Sequence, residues 1–121
     1  MTTTTTTTDV RGAFARARGV GAREGGVSAR EVRGAVHKAL STTVSMAVLE
    51  RGEELQANGL AHSTLLPHIF HVGRYSYLVN VLDLSCECRG FRLSGGKVCK
   101  HIVAAGVQFM VNDANAGGII G

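Results

Sequence analysis

The sequence predicts an α+β fold, with a helical N-terminal half followed by a β-hairpin and a C-terminal helix. Three observations carry this expectation. Between Val32 and Leu55, apolar residues recur at three- and four-residue intervals, the spacing of one helical face. After Gly59 the pattern changes to runs rich in β-branched, aromatic and leucine residues, which suit strands. From about Lys100 to Val111 the helical spacing returns, with Ile102, Ala105, Gly106, Phe109 and Met110 as its apolar stripe. The chain has 121 residues, enough for one small domain.

Taken in order, residues 1–27 read as a disordered arm. Seven threonines follow Met1, and five glycines interrupt the arginine- and alanine-rich stretch from Arg11 to Gly26. Neither has the apolar period of a packed element. Ser28-Ala29-Arg30-Glu31 is a capping box that opens the helical segment, residues 28–59, and Asn58-Gly59 supplies its left-handed stop. Ser41-Thr42-Thr43 has weak helix propensity, so one bent helix and two helices broken near Ser41 are both allowed. In residues 60–111, Leu65 to Val72 and Tyr75 to Leu84 are expected to pair as antiparallel strands across a two-residue Gly73-Arg74 turn. Residues 112–121, with Gly117 and Gly118, read as a flexible tail.

Charge is uneven along the chain. The net formal charge is +4, but the segment from Arg11 to Lys38 carries +5, Ala39 to Cys88 carries −3, and Arg89 to Lys100 carries +4. A basic balance admits an acidic partner such as nucleic acid. No apolar stretch is long enough to span a bilayer. The three cysteines lie within fourteen residues of one another. An odd number argues against a disulfide framework, and with no apolar leader after Met1 the expected location is intracellular, where thiols stay reduced.

Those cysteines form the chemical centre of the sequence: Cys86-x-Cys88, ten residues, then Cys99-x-His101. Three thiolates and one imidazole complete a tetrahedral ligand set for one structural zinc ion and leave no position open for a substrate or water. Catalysis at the metal is therefore not expected. Residues two apart on a regular strand share a face but sit too far apart for tight chelation, so Cys86 and Cys88 should lie where a strand ends and curls. Residues two apart in a helix point about 200° apart, so Cys99 should precede the last helix, with His101 in its first turn. Gly95-Gly96 provides the backbone freedom for that approach.

A Cys-x-Cys pair, a short loop and a Cys-x-His pair, placed after a hairpin and before a helix, resemble the SWIM zinc finger. The resemblance runs from about Leu65 to Met110 and includes Tyr77-Leu78-Val79, Phe91 and the stretch Gly95 to Ile102. Arg89-Gly90 departs from the Pro-Asp often found before the Phe. The resemblance implies a ββα zinc-finger unit used for protein contacts or for DNA binding. Small stand-alone members of the family partner RecA-family recombinase paralogues in recombinational repair, and others are DNA-binding regulators or transposon-related fingers.

The resulting expectation is a non-enzymatic adaptor that contacts a protein partner, which the resemblance suggests is a recombination or repair factor, with auxiliary affinity for DNA phosphates through Arg89, Arg92, Lys97 and Lys100. Few aromatics and no Arg- and Asn-rich recognition helix argue against sequence-specific readout. The apolar face of the 28–58 helix is expected to be incompletely covered and open to a partner or second copy. A thiol redox or metal-handling protein is the alternative of another class. His68 and His71, three apart on a strand, face opposite sides and read as packing or surface residues. His37 and His62 are assigned no function. No phosphate-cradling loop, Ser-His-Asp set or small-molecule site is recognised.

Overall fold

The computed structural model describes residues 28–120, with side chains described through Asp113; the expected arm of residues 1–27 lies outside them. Helix α1 spans Ala29–Leu40 and helix α2 spans Met46–Ala57, so the helical segment is two helices. Ser28 caps α1 by accepting from the Glu31 amide at 3.2 Å, as the capping box requires. Ser45 does the same for α2 from Val48 at 3.3 Å. Between them the Leu40 carbonyl takes the Thr43 and Val44 amides, which closes the first helix. Gly59 adopts φ +74° after α2, the left-handed stop its position implies.

Four antiparallel strands follow in the order β1-β2-β3-β4: Ala61–Ser63, Ile69–Val72, Tyr77–Asn80 and Ser85–Cys86. The two strands expected from sequence shorten to β2 and β3, and β1 and β4, both outside the expected bounds, complete a four-stranded meander. The β2–β3 connection is also longer than the expected Gly73-Arg74 turn. Val72 pairs with Tyr77, leaving four residues in the loop, and both Gly73 (φ +83°) and Ser76 (φ +51°) adopt positive φ. A short helix α3, Arg89–Leu93, precedes the final helix α4, Lys100–Ile120. The helix therefore continues through the segment from Asn112 that its glycines suggested was a tail.

Helix α4 is the centre of the molecule. Residues from His101 to Val107 are all buried, because α1 and α2 pack on one side of the helix and the sheet packs on the other. Val32, Val36, Leu40 and Leu49 face it from the helices, and Phe70, Val72 and Val79 face it from the sheet. The apolar helical face expected to await a partner is thus covered within the chain. Gly52 lies where α2 crosses α4. A Cβ built there would meet Val103 Cβ at 2.5 Å and the Lys100 carbonyl oxygen at 2.8 Å, so only glycine admits this approach.

A chain of polar contacts crosses the same layers. Arg33 donates to Gln56 at 2.7 Å, Gln56 to Gln108 at 2.9 Å, Gln108 to Asn112 at 2.9 Å and Asn112 to Ser63 Oγ at 2.9 Å. It links α1, α2, α4 and β1. His37 Nδ1 and Glu53 Oε2, 2.7 Å apart, add a second tie between α1 and α2. Among the described residues no buried side-chain nitrogen or oxygen lacks a partner, the condition under which buried polar groups are tolerated.

Candidate metal centre

Each of the four sequence-predicted ligands sits where an element ends. Cys86 closes β4 opposite Val79. Pairing persists one residue further, as the Glu87 amide bonds to the Leu78 carbonyl, and then the strand turns away. Cys88 takes the N-cap position of α3, where its Sγ accepts from the Phe91 amide at 3.3 Å. The Cys88 amide in turn donates to Cys86 Sγ at 3.4 Å. Amide donors of this kind stabilise thiolates. Gly95 and Gly96, at φ +76° and +91°, turn the chain back after α3, as their freedom suggested. Cys99 immediately precedes α4, and its carbonyl accepts the Ile102 and Val103 amides. His101 is in the first turn of that helix.

The side chains converge. One ligand atom from each of Cys86, Cys88, Cys99 and His101 can be chosen so that all lie within 4.8 Å of one another, and Cys99 Sγ is 3.8 Å from His101 Nδ1. Zinc bound tetrahedrally at about 2.3 Å from sulfur spaces its sulfur ligands about 3.8 Å apart. The cluster thus fits one zinc ion with little rearrangement. Cys86, Cys88 and His101 are buried and Cys99 is half-buried, so the site is closed. This is the donor set of a structural ion rather than a catalytic one.

The electrostatics show why the cluster wants a cation. A hydrogen bond with Cys86 holds the Cys99 thiol far below its usual range, to about 4, against opposing burial. The same contact with Cys99, followed by burial, pushes the Cys86 thiol up. Two crowded thiols thus share one proton, with Cys99 as the thiolate. A divalent ion replaces that proton and allows all three thiolates to form.

The surroundings position the imidazole. The Tyr77 ring lies 5.0 Å from the His101 ring, centroid to centroid, tilted by 55°. A Cβ at Gly73 would stand 3.2 Å from His101 Cδ2 and 3.3 Å from Nε2. Gly73 is therefore required twice, for its positive φ and for the space it leaves.

The four cations assigned to nucleic acid separate. Arg89 and Lys100 line a cleft of about 640 Å³ beside the metal site, Lys97 lines a neighbouring hollow of about 350 Å³, and Arg92 is exposed on α3. The structure adds Arg51, Arg74, Tyr75 and Tyr77 to the cleft; the sequence marks Tyr77 only as part of the SWIM-like strand, and no motif marks the other three. His68 precedes β2, and His71, within it, contacts the Ser76 carbonyl at 3.2 Å. His62 lies directly across from His71 in the β1–β2 register, a pairing its isolated position in the sequence conceals. Among the described residues, Cys86, Cys88, Cys99 and His101 form the only metal-compatible cluster, and no helix is long and apolar enough to cross a membrane.

Residues 77–105 match the family model of the SWIM zinc finger. This stretch begins at β3 and ends in the second turn of α4, and it contains all four ligands. No curated protein and no solved structure matches the chain.

Proposed function

With a SWIM zinc finger at residues 77–105 as the premise, we propose that the chain is a non-catalytic adaptor whose zinc holds a protein-docking surface in shape. The supporting observation is a set of leucines held in solvent at one end of the sheet. Leu65 is fully exposed at 103% and Leu66 at 55%, both in the β1–β2 loop; Leu82 is 54% exposed in the β3–β4 loop. The two loops are adjacent, joined where the Val81 amide bonds to the His68 carbonyl.

Nor are these loops slack. Thr64 Oγ1 contacts the Leu66 and Ile69 carbonyls and accepts from the Leu66 amide. Asn80 Oδ1 likewise accepts the Leu82 and Asp83 amides. Single exposed leucines are ordinary, but several on neighbouring fixed loops make an apolar surface suited to a partner. The partner class favoured by the SWIM resemblance is a RecA-family recombination factor.

The test joins metal content to contact mapping. Purified chain should hold one zinc ion, and a photo-crosslinker at position 65 should give one discrete adduct with the recombinase paralogue. That adduct should disappear in Leu66→Asp and after chelation. Adducts of equal yield without zinc, or only self-adducts, would defeat the adaptor reading. Zinc that exchanges freely while the fold persists would favour metal handling, and a metal-free disulfide form would favour redox chemistry.

A second reading, auxiliary nucleic-acid affinity, is favoured by the distribution of cations. Arg89 and Lys100 flank the metal ligands, and neither makes an ion pair with any described residue.

A further inference from the structure

We propose that the cleft beside the metal centre is a binding site for single-stranded nucleic acid, with phosphates held by Arg51, Arg74, Arg89 and Lys100 and a base stacked on Tyr75. The inference rests on the auxiliary nucleic-acid reading and gives it a location and a ligand class.

The cations reach the cleft from four separate segments: α2, the β2–β3 loop, the start of α3 and the start of α4. They are 15 to 49 residues apart along the chain, except for the near pair Arg89 and Lys100, so only the fold assembles them. No carboxylate of the described residues lines the cleft. All four side chains are exposed, and none makes an ion pair or side-chain hydrogen bond with another described residue. A zinc ion with three thiolates and a neutral imidazole carries a formal charge of −1. The four cations outweigh it and leave the cleft positive.

Charge alone would suit any anion, but the remaining lining narrows the choice. Tyr75 is 72% exposed. Its ring meets Tyr77 at 6.0 Å in an edge arrangement, and Tyr77 meets His101 at 5.0 Å. This row of rings leads from solvent to the metal ligand, with Val48, Leu55 and Leu60 beside it. Flat aromatic and apolar surface next to arginine forks is what a nucleotide presents partners for: a base to stack and a phosphate to grip. At about 640 Å³ the cleft falls within the range of small-ligand sites. It can admit unstacked nucleotides but not the body of a duplex. An acidic peptide would satisfy the cations and leave the tyrosine row unused.

Fluorescence anisotropy with zinc-loaded full chain and an oligothymidylate of about twelve nucleotides tests this, within the usual single-strand footprint. Salt is varied from about 50 to 200 mM. Binding should fall at least tenfold in Arg51→Gln/Arg74→Gln, and the salt slope should shrink by about 1.4, as expected for two lost phosphate contacts. Tyr75→Ala should weaken binding at least fivefold with the salt slope unchanged, the mark of lost stacking. Arg92→Gln and Lys97→Gln, outside the cleft, should change affinity less than twofold. Zinc content and circular dichroism confirm that every variant is folded.

No binding at about 50 mM salt would overturn the proposal along with the auxiliary nucleic-acid reading. Binding that Arg92→Gln and Lys97→Gln weaken as much as the cleft variants do would overturn the proposal and leave that reading standing. Equal affinity for a duplex or for polyglutamate would likewise reject the single-stranded site. None of these outcomes bears on the Leu65 crosslink, so the adaptor reading is judged separately.

Discussion

Replacing Gly52 by alanine adds one methyl group at the crossing of α2 and α4, and the structure sets the cost. The new Cβ would stand 2.5 and 2.6 Å from Val103 Cβ and Cγ1 and 2.8 Å from the Lys100 carbonyl oxygen. A rotamer change can move Cγ1, but not Cβ or the carbonyl. Ordinary contact begins near 3.4 Å, so the helices must part by about 0.9 Å. A gap of that width forfeits roughly a quarter to a half of the dispersion energy across it, and overpacking of this kind costs about 1–3 kcal/mol. Alanine's better helix propensity returns about 0.8–1.0 kcal/mol. The expected net loss is up to about 2 kcal/mol, or a fall in Tm of up to about 15 °C for a domain of this size. Thermal unfolding followed by circular dichroism measures it. Gly34→Ala is the control: Gly34 lies in α1 with nothing within 4 Å of its added Cβ, so it should stabilise by about 0.5–1 kcal/mol. Because Lys100 sits between Cys99 and His101, Gly52→Ala should also weaken zinc binding about tenfold in a chelator competition. A Gly52→Ala protein that melts at or above the parent temperature would refute the close crossing.

Other outcomes follow from the same structure. Gly73→Ala combines a strained φ with a methyl against His101, and zinc affinity should fall about 10–100-fold in chelator competition. Gly59→Ala, with the same φ strain but open space, should leave zinc affinity unchanged. Gln56→Leu strands Arg33 and Gln108, and denaturant titration should show a loss of about 1–3 kcal/mol. For metal-free protein, the depressed Cys99 thiol means the unfolded chain binds more protons between pH 4 and 9. Its stabilising contribution is therefore full above the unfolded thiol pKa, declines as pH falls, and is gone below about 4. The raised Cys86 thiol acts in the opposite sense above the ordinary thiol range. Urea midpoints across pH should thus rise from acid toward mild alkali and then turn down; a flat profile would contradict the shared proton.

The metal centre was legible because its ligands are contiguous pairs whose spacing carries geometric information. Cys-x-Cys had to end a strand and Cys-x-His had to start a helix, and the structure places both so. The Ser28 cap and the Gly59 stop were equally local signals. What escaped the sequence was short or distributed. Strands β1 and β4 have three and two residues, too few to display a period of two. The β2–β3 loop was undersized because Ser76 adopts a positive φ that serine rarely signals. The break between α1 and α2 was marked by Ser41-Thr42-Thr43, but propensity alone could not choose between a bend and a new cap at Ser45. The final helix outlasts its glycines, since propensity is a weak prior. The basic cleft had no linear signature at all: Arg51 and Arg74 stand in the acidic middle of the sequence, and only folding brings them beside Arg89 and Lys100.

The donor chain from Arg33 through Gln56, Gln108 and Asn112 to Ser63 runs in one direction, each amide giving to the next. Apolar helices can slide by fractions of a turn at small cost, but a one-way sequence of amides has a single satisfied register. It therefore indexes α4 against both the helical layer and the first strand, far from the thiols. The first turn of α4 is thereby presented to β4 at a fixed height before any ion arrives. Metal uptake then clamps β4 and the α3 loop, which this chain of amides does not reach, onto a helix whose height is already set, so chelation should loosen the β3–β4 end of the sheet while α4 keeps its register.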